Sequence, residues 1–214
     1  MSGKKLKIEV VSDPVCPWCY VGKRRLESAL AQRPGLDVDV EWQPFQLNPD
    51  MSREGRNRRD YYREKFGAET AETMLSGMRQ TGEEVGIAFG SDPEAMAPNT
   101  LSAHVLLYWA GADEGIDAGE AAEKLFHAHH VACENIGDHA VLARIAGEVG
   151  MDEGDVTERL AAGVDEDIVR ERIAHLASLG VSGVPFFIVN GKYGISGAQP
   201  SEILVSAFDQ IAAE

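Results

Sequence analysis

The hydrophobic pattern changes its period twice along the chain, and the changes divide it into three parts. Residues 5–11 (KLKIEVV) are apolar and β-branched, which predicts a buried strand. The turn Ser12-Asp13-Pro14 follows. Residues 16–32 then show helical spacing, with Trp18, Val21, Leu26, Ala29 and Leu30 on the expected inner face. Arg33-Pro34-Gly35 stops this helix, because proline cannot continue the backbone ladder. Residues 36–42 (LDVDVEW) alternate strictly and predict a second strand. Strand, helix and strand form one βαβ unit, whose crossover is expected to be right-handed.

After Pro49 the period becomes helical, with helices expected over 52–66, 68–85, 99–110, 119–135, 138–149, 152–162 and 165–179. Pro98-Asn99-Thr100 is a helix start whose short polar side chains can accept free amide hydrogens, and Gly150 and Gly180 are C-terminal stops. Strand character returns at 185–189 (PFFIV) and 193–195. Asn190-Gly191 between them is a hairpin turn, and Pro200-Ser201 opens a last helix to 213. With no internal repeat and no low-complexity linker, the reading is an α/β frame split by a helical insertion.

The 214 residues suffice to bury a core, and 44% hydrophobic with 26% charged residues is the composition of a globular protein. A formal net charge of −15 argues against a nucleic-acid partner, since phosphate binding needs a positive surface. No run of about 18 apolar residues occurs, so no membrane-spanning helix is expected. The segment from Met1 to Val11 is interrupted by Glu9 and is too short for a secretory leader, so a cytoplasmic location is expected. Three cysteines in a reducing compartment do not make a disulfide framework. A close pair among them reads as catalytic or metal-binding.

That pair is Cys16-Pro17-Trp18-Cys19, placed just after a strand and at the opening of a helix. Residues three apart share a helix face, so the two sulfurs can close a disulfide. The free amides and partial positive charge of the helix N-terminus stabilise a thiolate at Cys16. Cys16 is therefore expected to be the exposed nucleophile, and Cys19, one turn further in, the buried resolving thiol. Pro17 fits the first turn, where its missing donor costs nothing. A zinc site needs four ligands, and no second CxxC or matching histidine pair accompanies this one; no metal is expected.

Far along the chain, Gly180-Val181-Ser182-Gly183-Val184-Pro185-Phe186-Phe187 puts a proline at the head of a strong strand. Such a proline is accommodated either by a cis peptide bond or as an ordinary trans residue at a sheet edge. The chain resembles the DsbA family of the thioredoxin superfamily, in its FrnE-like branch, through SDPVCPWCYVGKRRLE, QPFQLNP (43–49), APNTLSAH (97–104) and GVSGVPFFIVNGKYGISGAQP. The resemblance implies an α/β thioredoxin-like fold with a large all-helical insertion, made of a discontinuous domain (1–50 and 165–214) around an insertion (51–164). It also implies that Val184-Pro185 is cis and lies beside Cys16. A substrate segment would then pair with the backbone just before Pro185, against Pro17, Trp18 and Val184. Some FrnE-like proteins carry a further cysteine pair near the C-terminus. This chain has no cysteine after Cys133, so a separate redox partner is expected.

Other residues invite weaker chemistry. His129 and Cys133 stand four apart on an expected helix, a metal-ligand spacing that also describes an ordinary polar face. Arg53, Arg56, Arg58, Arg59 and Arg63 crowd one stretch, which reads as a solvated face or as a grip for an anionic thiol such as glutathione. Tyr61 and Tyr62 read as packing residues. Asn48, Ala198 and Gln199 match positions near which kappa-class glutathione transferases and 2-hydroxychromene-2-carboxylate isomerases bind glutathione, and the helix start at Pro200 could hold a carboxylate.

The expected activity is thiol–disulfide exchange with protein or small-molecule thiols through a mixed disulfide on Cys16. It needs no cofactor, and glutathione is the one co-substrate in view. The alternatives are a glutathione-dependent isomerase or transferase, which usually carries serine where Cys16 stands, and a chaperone-like binder using the groove beside Pro185.

Overall fold

The computed structural model describes residues 5–214. The first four residues of the expected 1–50 segment, and the start of the segment read for a leader, lie outside the described residues. Strand β1 (Leu6–Ser12), helix α1 (Pro17–Ala31) and strand β2 (Val38–Pro44) form the expected βαβ unit, with β1 and β2 parallel from Leu6↔Val38 to Ser12↔Pro44. Two strands from the other end of the chain, β5 (Phe186–Val189) and β6 (Tyr193–Ser196), complete a four-stranded sheet with the order β2-β1-β5-β6. Strand β1 thus lies between a parallel and an antiparallel neighbour, with Val10 opposite Phe187.

The turn joining β5 to β6 follows from its residues. Asn190 and Gly191 adopt φ of 53° and 65°, the left-handed pair that a tight hairpin requires. Asn190 also accepts the Lys7 amide at 3.0 Å and so ties the hairpin to β1.

Side-chain alternation gives the sheet two apolar faces. Leu6, Ile8, Val10, Phe187 and Val189 pack against Leu26 and Ala29 of α1 and against Leu204, Val205 and Phe208 of α9 (Ser201–Ala212). On the other face, Val11 meets Leu176 of α8 (Glu166–Ser178) and Val181, with Phe186 and Ile188 packed against them. The largest apolar cluster lies among the helices of the insertion: α4 (Leu101–Ala112), α5 (Ala118–His130), α6 (His139–Glu148) and α7 (Glu153–Ala161). It continues into Val15, Cys16, Cys19, Tyr20 and Val21, so the insertion shares a core with the first turns of α1.

Three sequence expectations change. The helix expected over 52–66 is shorter, α2 (Arg58–Phe66), preceded by strand β3 (Arg56–Asn57) paired with β4 (Met96–Ala97). The backbone turns at Gly55 with φ of 71°, where a β-carbon would stand 2.7 Å from the Ala97 carbonyl oxygen. Asn57 then caps α2 by accepting the Asp60 amide at 3.1 Å. The helix expected over 119–135 ends at His130, and Cys133 takes a left-handed φ of 59°. Trp18, expected on the inner face of α1, is 43% exposed. Helix α3 (Ala68–Glu84) follows α2 much as expected.

Phe208 is fully buried between α1 and the sheet. We expect Phe208→Ala to lower the unfolding free energy by about 3–5 kcal/mol, from lost apolar burial and the cavity left behind. Urea denaturation would measure it.

Candidate active site at the first turn of helix α1

The cysteine pair sits where β1 hands over to α1. Cys16 is the N-cap residue, with extended backbone (φ −85°, ψ 112°), and Pro17 occupies the first helical position. The Cys16 amide donates to the Asp13 carbonyl at 2.8 Å, and the Cys16 carbonyl accepts the Cys19 amide at 3.0 Å. The Cys16 side chain caps no amide of its own helix, so its sulfur is free to turn outward. It donates to the Val184 carbonyl at 3.8 Å, across 168 residues of sequence.

That approach has a simple steric cause. The Val184–Pro185 peptide is cis, and Pro185 packs against α1 at Gly22. A β-carbon there would come within 3.0 Å of Pro185 Cγ and 3.5 Å of Phe187. Without a side chain at Gly22, the helix lies close enough for Cys16 to meet Val184.

The two thiols differ in surroundings. Burial pushes the Cys19 thiol well above its ordinary range, and a hydrogen bond with Cys16 and the charge on Cys16 push it the same way. Cys19 is thereby held as a proton-bearing thiol facing its partner. Cys16 was expected to be exposed, and this is corrected: it is only 4% exposed. Helices α2 and α3 close over it and leave a cavity of about 310 Å³ with Cys16, Pro17 and Trp18 on one side. Leu75 and Met78 of α3 and Tyr61, Tyr62 and Phe66 of α2 face it. Tyr61 and Tyr62, read as packing residues, thus line the space above the sulfur. Burial raises the Tyr62 phenol to about 12, with the charge on Cys16 acting in the same direction, so it keeps its proton.

Asn48 lines the same cavity. Its Oδ1 accepts from Tyr61 Oη and, at 2.7 Å, from Lys65 Nζ. Ala198 and Gln199 do not line this cavity, although Ala198 packs against the apolar cluster that includes Cys16 and Cys19. The Ala198 carbonyl accepts from Arg25 at 2.5 Å, and Gln199 Nε2 donates to the Ser196 carbonyl at 2.8 Å. A larger cleft of about 580 Å³, edged by Lys23, Trp42 and Arg172, contains neither cysteine.

Sequence reading took Asp13 for a turn residue and assigned no role to His104. Both side chains are 1% exposed. The Asp13 carboxylate accepts the Leu47 amide at 2.7 Å and the Val15 amide at 3.4 Å, pinning the loop after β2 to the turn before Cys16. His104 Nε2 donates to the Phe45 carbonyl at 2.8 Å and stands 3.7 Å from Asp13 Oδ1. The signal available was the polar pair Ser12-Asp13 at the end of an apolar strand.

The arginine stretch is spent largely on ion pairs. Arg53 meets Glu166 at 2.8 Å and Arg56 meets Glu64. Arg58 turns inward, donating to the His129 carbonyl at 3.4 Å and to Cys133 Sγ at 3.5 Å. His129 lies in α5 while Cys133 lies beyond its end, so the helical spacing that suggested a metal pair is not realised. Burial, with Arg58 beside it, lowers His129 to about 3, leaving it neutral. Among the described residues no group of three histidine, cysteine or carboxylate side chains is placed to hold a metal.

A family model described as DSBA-like thioredoxin domain matches residues 7–209. The chain belongs to this family. Two relatives match the DSBA-like chain along nearly its whole length. The Bacillus subtilis (strain 168) protein YwbO is 29% identical over 201 residues, 94% of each chain. The crystal structure of a probable DsbA oxidoreductase from Streptomyces coelicolor has a TM-score of 0.89 at 30% identity, covering 98% of this chain and 91% of that one. The cytosolic disulfide reductase DsbM from Pseudomonas aeruginosa shares the fold at 20% identity, with a TM-score of 0.67 over 97% of this chain and 100% of that one. The fold is therefore the mixed α/β thioredoxin fold of DsbA-like proteins. Among the described residues no helix is long and apolar enough to cross a membrane.

Behind the site, an ionic cluster fastens α1 to α5. Glu123 accepts from Tyr20 Oη at 2.7 Å, from Lys23 Nζ at 2.8 Å and from Arg24 Nη2 at 2.5 Å. Burial alone would raise the Glu123 carboxyl. The bonds from Lys23 and Tyr20 and the two cations outweigh it, so the group sits below its ordinary range. A carboxyl depressed in the folded state stabilises above its unfolded pKa, and that contribution is lost as pH falls through the folded value. Lys23 is 5% exposed, but Glu27 also pairs with it, so the cost of losing Glu123 is discounted. Glu123→Gln should destabilise the protein at pH 7 by about 2 kcal/mol, less than a fully broken buried pair costs, because Glu27 still pairs with Lys23. Stability measured against pH should then fall less steeply on acidification below the ordinary carboxylate range than in the wild type.

Proposed function

We propose that this protein is a thiol–disulfide oxidoreductase in which Cys16 attacks and Cys19 resolves. The observation that carries the reading is the unequal pair at the head of α1. One sulfur sits at the helix N-cap against the Val184 carbonyl and opens on a cavity; the other is buried beneath it as a thiol.

The Cys16 thiolate attacks one sulfur of a substrate disulfide. A Cys16–substrate bond forms, the substrate S–S bond breaks, and the first substrate thiolate leaves. Cys19 gives its proton to solvent and attacks Cys16 Sγ, releasing the second substrate thiolate. Two electrons pass from the protein dithiol to the substrate, and the Cys16–Cys19 disulfide remains. Run backwards, the same steps oxidise a dithiol. Pro17, Trp18 and Val184 flank the attacked sulfur and Pro185 fixes its wall, so we assign them to substrate positioning, with Asn48 at the cavity's far side.

A separate molecule must reset the pair, since Cys133 lies outside it, bonded by Arg58. Glutathione is a fitting reductant: DsbM, which shares the fold, has a structure with GSH. We place the exchange in the cytosol, the compartment named for DsbM. An isomerase or transferase of the same fold would not need Cys19. A purely chaperone-like binder would need neither cysteine.

With a disulfide substrate and excess reductant, Cys16→Ser should abolish turnover. Cys19→Ala should lower it by roughly a hundredfold or more and, given the disulfide without reductant, should trap a mixed disulfide seen as an added mass on the intact protein and released by dithiothreitol. Full turnover by Cys19→Ala would favour the isomerase reading and overturn this one.

A further inference from the structure

The cavity above Cys16 is unlike the rest of the surface in two respects. Of the eight large apolar side chains left exposed among the described residues, four, Trp18, Leu47, Phe66 and Met74, edge this one space, which Leu75, Met78 and Val184 also line. An apolar rim around a recessed reactive atom marks a place where apolar matter is received. The second respect is charge. Lys65 is the cavity's single lysine or arginine, in a protein of net charge −15. Its ammonium is held by neutral oxygens, Asn48 Oδ1 at 2.7 Å and Tyr61 Oη at 3.0 Å, and stands 5.3 Å and 5.7 Å from the ring centres of Tyr61 and Phe66. Among the described residues it makes no salt bridge with a carboxylate.

We propose that the cavity selects small aromatic or branched apolar thiols and disulfides that carry one carboxylate, with the sulfur at Cys16 and the carboxylate on Lys65. This rests on the thiol–disulfide reading above and narrows its substrate. A volume of about 310 Å³ lies at the small end for ligand sites and accepts one compact apolar body. Because Cys16 is 4% exposed, a reacting sulfur has to enter the cavity, which favours a small disulfide over one fixed on a folded protein surface. The aromatic walls suit a ring, and Lys65 turns a generally apolar site into one that prefers an anion at one end.

The exchange is the one already written. The Cys16 thiolate displaces one aryl thiolate, Cys19 displaces the second, and the bound disulfide is reduced to two thiols as Cys16 and Cys19 are oxidised. A single turnover of the reduced protein needs no further reductant.

The test uses the full chain, reduced, in single-turnover thiol release from four disulfides: 4,4′-dithiodibenzoate, its uncharged diamide, oxidised glutathione and insulin. Each rate is divided by the rate of free 2-mercaptoethanol with the same disulfide, removing intrinsic reactivity. The dibenzoate should exceed glutathione disulfide and insulin by tenfold or more. Lys65→Met should lower the ratio of the dibenzoate rate to the diamide rate about fivefold to tenfold, as a lost charge-assisted contact does. Leu75→Trp, which fills the cavity, should slow both aryl disulfides together while iodoacetamide still alkylates Cys16. Equal normalised rates for all four, a preference for glutathione disulfide or insulin, or a Lys65→Met loss shared equally by the diamide would overturn the substrate class and leave the oxidoreductase reading standing. Reaction with none of the four, Cys16 being alkylatable, would overturn the oxidoreductase reading itself.

Discussion

Everything at the candidate site depends on how closely the first turns of α1 approach Pro185, at the head of β5. The contact joins residues more than 160 positions apart, and it is made by an absence, the missing side chain of Gly22 against the proline ring. With the helix seated there, the Cys16 sulfur meets the Val184 carbonyl, and the sheet order β2-β1-β5-β6 holds both partners through their shared neighbour β1. Asp13 secures the opposite side by taking the Leu47 and Val15 amides with its buried carboxylate. A close-packed interior relaxes little, so a sulfur fixed from both sides keeps its direction.

The same placement separates the chemistry of two identical side chains. Cys16 stands at the end of a helix, where free amides and the peptide dipoles favour negative charge; Cys19 stands one turn deeper, where burial disfavours it. Exchange requires this difference. Were the two sulfurs placed alike, either could attack first, and a mixed disulfide at Cys19 would form at a sulfur that does not line the cavity. The cavity lies over Cys16, so position and charge favour the same atom.

Much of this is legible in the sequence because it is local. Period-two and helical spacing give the βαβ unit, Asn190-Gly191 gives the hairpin, and strand followed by Cys-Pro-Trp-Cys gives the paired thiols. What escapes is set by distant partners. Nothing near Cys16 says that Tyr62 and Leu75 will cover it. Arg58 reads as one more surface cation until Cys133 and the His129 carbonyl are placed beside it. Gly22 and Asp13 look ordinary in a helix and a turn; their meaning lies in Pro185 and in the Leu47 amide. The early end of α5 depends on the left-handed Cys133, which no spacing rule announces. Gly55 is likewise required by the Ala97 carbonyl, which is more than 40 residues away.

The two helices over Cys16 contribute little to the fully buried core. No residue of α2 is buried, and α3 buries only Ala71 and Gly82, whereas α4 buries nine of its residues. Segments with so few buried apolar contacts open at low free-energy cost compared with the core. A thiolate must approach a disulfide along the S–S axis and the leaving sulfur must depart, which a permanently closed chamber would prevent. A loosely held cover above a rigid floor meets both needs. In the exchange proposed above, Gly22, Pro185 and Asp13 fix the attacking atom, and α2 and α3 form the side from which a partner would enter. Apolar side chains at the rim are costly to leave wet, which favours a substrate that covers them. In the proposed exchange, specificity would reside in α2 and α3 and reactivity in the helix–strand contact beneath, so that residues of the two helices could change what is exchanged without disturbing how the exchange proceeds.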